Sequence, residues 1–223
     1  MNSQIEKALK ASLHEYNTAN NQKSDVFERR IFDAFNTDRT FIEKVDLLDS
    51  IFDDFIHFDD LREVFFDLLL INFFTVDVEK LESDYLESEE WERIEDQTID
   101  RGTELLNLLL YLRECKDEEI DPELDDFLKE FLLVEEDEFQ DEHRIYEPFI
   151  ENQILVESEF GEIQKVAEKL DPDHEVADLF FPVMSYFSEP EPTEEQFDNF
   201  VKVSKNKSFD SAIYALIIAY NQS

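Results

Sequence analysis

Glycine occurs only twice in 223 residues, at Gly102 and Gly161. Tight turns, bulges and close backbone approach to phosphate groups draw on glycine. Its scarcity argues against a β-barrel, a β-sandwich or a nucleotide-cradling α/β fold. The chain also contains no Walker pattern and no G-x-G-x-x-G motif. Cys115 is the single cysteine, which excludes an internal disulfide and leads to the expectation of a reducing, cytoplasmic compartment. Basic residues are scarce as well: 20 Lys and Arg face 58 Asp and Glu, for a formal net charge of −38. Neutralising phosphates takes Lys and Arg, so direct binding to nucleic acid or to an anionic membrane surface is disfavoured. Stretch 1–16 carries charges throughout, without the apolar core of a signal peptide. The longest charge-free run, Ser211 to Ser223, has 13 residues, too few to span a bilayer.

Apolar material is abundant. Hydrophobic residues make up 42% of the chain, and 22 residues are phenylalanine. Disordered chains are poor in aromatics, so a folded protein with a sizeable core is expected despite the charge. The acidity is uneven: residues 51–160 hold 37 acidic and 8 basic residues, net −29.

The periodicity is helical nearly throughout. Segments 3–18 and 24–36 read as helices, the second with Ser24 as its N-cap. Phe41, Val45, Leu48, Phe52 and Phe55 form an amphipathic stripe over 38–57. Asp60 and Glu63 have capping-box spacing at the start of the next helix. From Val64 to Phe74 only Asp67 and Asn72 are polar, and a helix apolar nearly all round is expected to be buried centrally. A short helix is expected over 78–87. Ser88 caps a long helix reaching Cys115, with a break or tight packing at Gly102. Asp121–Pro122 reads as N-cap and N1 of a helix reaching about Glu136. Pro148 opens another helix, 159–170 forms the next, and one from Asp173 or His174 runs through Phe187 with a kink at Pro182. Thr193 and Gln196 have capping-box spacing, and Ser208 is expected to cap the last helix, whose alanines Ala212, Ala215 and Ala219 form a small face. The expected fold is therefore all-α: an irregular multi-helix bundle of about ten helices, as one domain over 1–223 with a weak subdivision near 189–193. An α-solenoid of helical hairpins is the alternative, prompted by the similarity of FDDL (58–61) to LDDF (124–127).

Recognisable chemistry is thin. Asp54 and His57 stand at the i, i+3 spacing by which carboxylate and imidazole share a metal, but the other Asp-x-x-His pair, Asp171 and His174, straddles Pro172. His143 lies among Asp141, Glu142 and Glu147, a setting better suited to solvated charge than to a metal. The glycine-bearing calcium loop pattern is absent. Carboxylates beside Cys115 oppose a thiolate. No catalytic, metal or cofactor residue is therefore assigned. The expected function is a non-enzymatic acidic interaction protein that binds or neutralises a basic protein partner, as an immunity-like inhibitor does. Partner binding is expected at Asp53, Asp54, Asp59, Glu135, Glu136, Asp137, Glu138, Asp141 and Glu142. One alternative is a nucleic-acid mimic: at one charge per ~1.7 Å of duplex, the surplus over 51–160 matches roughly 50 Å of DNA. A helical-bundle metal protein or enzyme is another, and acidity as adaptation to high salt is a third.

Overall fold

A computed structural model describes residues 1–21, 25–76, 85, 87–131 and 139–222. Among these are twelve α-helices: α1 (Ser3–Ala19), α2 (Asp25–Asn36), α3 (Phe41–Asp54), α4 (Arg62–Val76), α5 (Glu89–Thr98), α6 (Leu105–Asp117), α7 (Leu124–Phe131), α8 (Phe139–Glu151), α9 (Phe160–Ala167), α10 (Ala177–Ser188), α11 (Glu194–Val203) and α12 (Lys207–Asn221). Two 3-10 segments, Ile56–Leu61 and Gln153–Glu157, join them. The described residues contain no strand. The all-α reading holds, with a helix count somewhat above ten. Ser24, most of 78–87 and the stretch from 132 to Glu136 lie outside the described residues.

Two buried helices organise the bundle. In α4, Val64, Phe65, Phe66, Leu68, Leu69 and Ile71 are each at most 2% exposed. This is the helix the sequence places at the centre, and it packs on α3, α6 and α1. In α12, every residue from Phe209 to Ile217 is buried. α1 lies along it, with α10, α11 and α6 on its other sides. The first and last helices thus pack together. A solenoid, in which each repeat touches only its sequence neighbours, does not allow this, so the solenoid alternative is set aside. The buried side chains form one cluster running from Ile5 to Tyr220. Stacked rings join elements across it: Phe27 on Phe58 at 3.9 Å, and Phe181 on Phe200 at 4.6 Å.

Several helix boundaries differ from those expected, each with a local cause. The stripe over 38–57 ends at Asp54, because Phe55 leaves helical geometry (φ −130°, ψ 56°). The following 3-10 turn is what lets Phe58 stack on Phe27. α4 then starts at Arg62, and Asp60 and Glu63 do not form a capping box. Tyr16 Oη donates to the His57 carbonyl at 2.9 Å and lies 3.4 Å from Asp60 Oδ2, while Glu63 faces residues 101–102. The box does form at Thr40–Glu43 and, as expected, at Thr193–Gln196. Ser88 caps α5 as expected, by accepting the Trp91 amide. At Gly102 the break, rather than a continuous helix, is found. α7 begins at Leu124 rather than Pro122, since the Tyr111 hydroxyl clasps both the amide and the carbonyl of Glu123. α12 begins at Lys207, so Ser208 lies in its first turn and Asn206 takes the cap position.

α8 starts at Phe139 and contains Pro148 instead of opening on it. A proline inside a helix frees the carbonyl four residues earlier, here that of Arg144. His174 Nε2 lies 3.3 Å from this carbonyl, while its Nδ1 accepts the Val176 amide at 3.3 Å. That pairing assigns the proton to Nε2. It also explains the late start of α10 at Ala177: His174 is part of a turn that answers the proline.

Phe65 is fully buried, with its ring 5.8 Å edge-on to Phe52. Replacing Phe65 with Ala is expected to cost about 3–5 kcal/mol through lost burial and the cavity left behind, measured as the drop in unfolding free energy from urea titration.

Candidate functional site

Three of the expected partner-binding residues lie at the end of α3 and in the 3-10 turn after it, and the structure gives each an arginine. Arg62 donates from Nη2 to Asp53 at 2.7 Å and from Nε to Asp59 at 2.7 Å. Arg30 donates to Asp54 at 2.7 Å. Both guanidinium groups also sit over phenylalanine rings, Arg62 over Phe52 and Arg30 over Phe55. Asp53, Asp54 and Asp59 are therefore gathered on one side of the bundle, but as partners of internal cations. Of the others, Glu135, Glu136, Asp137 and Glu138 lie outside the described residues. Asp141 and Glu142 fall on α8, with their side chains undescribed. His57 is exposed, and Asp54 pairs with Arg30 in place of it.

The same network continues inward. Asp49 receives Arg62 Nη1 and both terminal nitrogens of Arg101, the latter at 2.9 and 3.1 Å. Arg101 Nε donates to Glu63 at 2.9 Å, and Glu63 also accepts the Gly102 amide at 2.9 Å. One turn further along α4, the fully buried Asp67 accepts the Thr103 amide at 3.0 Å and the Thr103 hydroxyl at 2.6 Å. Residues 101–103 are thus clasped to α4 by two of its carboxylates. Gly102 adopts φ +92°, and a Cβ there would stand 2.6 Å from Asp67 Oδ1. This is the one position where the sequence's rare glycine is demanded by both conformation and space.

Burial holds the Asp67 carboxyl well above the usual aspartate range; the Thr103 bonds oppose this, and the Glu63 and Glu104 charges add to it. Burial also pushes Asp210 up to about 6, against the hydrogen bond from Ser204 Oγ at 2.6 Å. Glu130 is an exposed residue whose carboxyl is partly desolvated; that desolvation and the Glu114 carboxyl beside it raise it to about 7. The Cys115 thiol is buried and raised, by burial first and then by Glu130 and Glu114, even though Tyr111 lowers it. It is a packed thiol, as its acidic sequence context suggests. Among the described residues, no group of three or more His, Cys, Asp or Glu side chains is arranged to hold a metal ion. Among the same residues, no helix is long and apolar enough to cross a membrane.

The arrangement that sequence reasoning missed flanks α11. A groove of about 510 Å³ on one side is walled by Glu157, Glu159 and Glu189 with Phe160, Gln196 and Asn199. A second, of about 530 Å³, lies between α1, α11 and α12. Its carboxylates are Glu15, Glu194 and Asp198, above Ala11, Phe197 and Ile218. Neither groove has a Lys or Arg among its described lining residues. The acid-rich middle of the chain drew attention away from them: the second groove joins residues of α1 to residues almost two hundred positions later. The one sequence signal near it is the small face of α12, since Ala215 and Ala219 line the groove.

Comparison with protein-family models, with curated proteins and with solved structures returns no match.

Gly102→Ala is expected to destabilise the protein by about 2 kcal/mol or more, from the positive φ and the clash with Asp67, read as a lowered urea midpoint. The raised carboxyls set a second expectation. Where a folded-state pKa exceeds the unfolded one, the folded chain holds the extra proton. Stability is then full below the unfolded value and is lost as pH rises toward about 6 for Asp210 and about 7 for Glu130. Self-repulsion of a chain at −38 acts in the same direction. Calorimetry should give a higher Tm near pH ~5 than near pH ~8, and a smaller difference in Asp210→Asn. A Tm that climbs with pH would show that these carboxyls are ionised in the folded state.

Proposed function

We propose that the protein is a non-enzymatic interaction protein that binds, and thereby neutralises, a basic protein partner, in the manner of an immunity-like inhibitor. The observation that carries this reading is the pair of grooves around α11, which bring six carboxylates to concave surface with no Lys or Arg in their described lining. Around α3 and α4, by contrast, carboxylates are matched: Arg30, Arg62 and Arg101 between them engage Asp49, Asp53, Asp54, Asp59 and Glu63. There the chain supplies its own cations, whereas the groove linings hold none and are open to cations from outside. Opposite potentials across an interface raise association rates and select partners. Apolar side chains such as Phe197, Ile218 and Phe160 lie beside these carboxylates. This favours a partner surface that offers apolar groups along with its charge, over a nucleic-acid-binding protein reading charge spacing alone.

The test is capture on the immobilised protein. At low salt it is expected to retain proteins more basic than the lysate average and to release them as ionic strength rises toward about 1 M, where the screening length falls to about 3 Å. Retained proteins of average charge, or retention indifferent to salt, would overturn the reading. Displacement of the captured protein by duplex DNA would transfer it to nucleic-acid mimicry.

A further inference from the structure

The groove between α1, α11 and α12 has walls with a particular spacing. α1 contributes Ala11, Glu15 and Thr18, at i, i+4 and i+7. α12 and its C-cap contribute Ala215, Ile218, Ala219 and Gln222, at i, i+3, i+4 and i+7. α11 contributes Glu194, Phe197 and Asp198, at i, i+3 and i+4. Each wall is therefore one face of a helix, two turns long or about 10 Å on the longer walls. Ridges of this spacing are the surfaces into which another helix packs its own ridges. Ala11, Ala215 and Ala219 keep the floor low, so that a fourth backbone can approach, while Ile218 and Phe197 supply half-buried apolar area. Phe197 is held in place by stacking on Tyr214 at 5.6 Å.

The charges in this groove are poorly answered from within. Among the described residues the one ion pair of Glu15 is with His14, at 3.9 Å, and its side chain is 24% exposed. Burial raises its pKa, His14 lowers it, and the Asp198 charge raises it further. Among the described residues Asp198 and Glu194 have no ion pair within 4 Å, although Lys202 lies one turn beyond Asp198. An acidic rim above an apolar floor of helical ridges is the complement of a helix with leucine-like residues on one face and Lys or Arg along its edges.

We propose that this groove receives a cationic amphipathic helix of the protein partner, its apolar face on Ala11, Ala215, Ala219, Ile218 and Phe197 and its Lys or Arg side chains on Glu15, Glu194 and Asp198. The proposal rests on the reading of the protein as a binder of basic partners, and adds to it the place and the form of the partner's binding element. Packing against the floor gives affinity and the rim selects for positive charge, so both are needed.

The probe is a fluorescein-labelled peptide of leucine and lysine, about 14 residues or ~21 Å as a helix, with leucines at i, i+3, i+4 and i+7. A shuffled peptide of the same composition without an apolar face is the reference. Anisotropy at low salt is expected to show the patterned peptide binding at least about tenfold more tightly than the shuffled one. Glu15→Gln, Glu194→Gln and Asp198→Asn together are expected to weaken it about tenfold or more. Neutralising three exposed carboxylates elsewhere, by Glu95→Gln, Asp96→Asn and Asp100→Asn, is expected to change it less than about threefold. Ala11→Leu, which fills the floor and keeps every charge, should also weaken binding, and thermal melts establish that each variant is folded. Equal losses in the two triple variants, or unchanged binding in Ala11→Leu, overturn the groove. So does failure of the intact protein to prefer the patterned peptide. If salt-sensitive capture of basic proteins persists in any of these cases, the acidic-binder reading stands without the groove. If capture is lost in the intact protein as well, both fall.

Discussion

The structure depends on how a chain with 58 carboxylates and 20 cationic side chains can close around a phenylalanine core. Burial of rings supplies the driving force, and like-charge repulsion opposes it. Two of the chain's arginines stand where carboxylates of α3 and α4 converge. Arg62 and Arg101 are each 20% exposed, and between them they bind carboxylates from α3, α4 and the turn that joins them. Single exposed ion pairs contribute little. Here the pairs share Asp49, which both arginines contact, and their guanidinium groups cover Phe52 and Phe66. One set of side chains thus screens charge, covers the aromatic core and fixes the path of the chain at residues 101–103.

That path has consequences across the bundle. Clasping Gly102 and Thr103 to Glu63 and Asp67 ends α5 and sets the start of α6 at Leu105. α6 then packs on both α4 and α12 and so connects the two buried helices. α1, also in contact with both, closes the other side. The bundle is therefore held by contacts of long sequence separation, a topology in which loop closure must precede most of the stabilising burial.

The grooves beside α11 have no Lys or Arg among their described lining residues. Lys202 stands in the last turn of α11 and Lys205 pairs with Glu168, so neither lines a groove. Glu189 accepts a hydrogen bond from Gln196, and among the described residues the ion pair of Glu15 is with His14. A concave, acidic surface floored with apolar side chains is the outcome. It stands apart from the α3–α4 region, where the density of aspartates in the sequence would have placed a binding surface.

How much of this was legible in the sequence depends on the range of the interactions involved. These helices follow from local sequence alone: 3.6-residue periodicity marks α2 and α3, a continuous apolar run marks α4, and the Thr193–Gln196 box marks α11, because capping and amphipathicity act within a few residues. The burial of α4 was legible for the same reason, since a helix apolar on every side has only one place to go. What the tertiary structure decided is whatever a distant residue imposes. Tyr111 holds Glu123 out of α7, His174 answers the carbonyl freed by Pro148, and Arg62 and Arg30 claim Asp53, Asp59 and Asp54. The second groove could not be read in advance, because Glu15 and Asp198 become neighbours only when α1 lies along α12. A count of carboxylates along the chain measures its total charge, whereas the tertiary structure determines which of those carboxylates meet a cation of the chain itself.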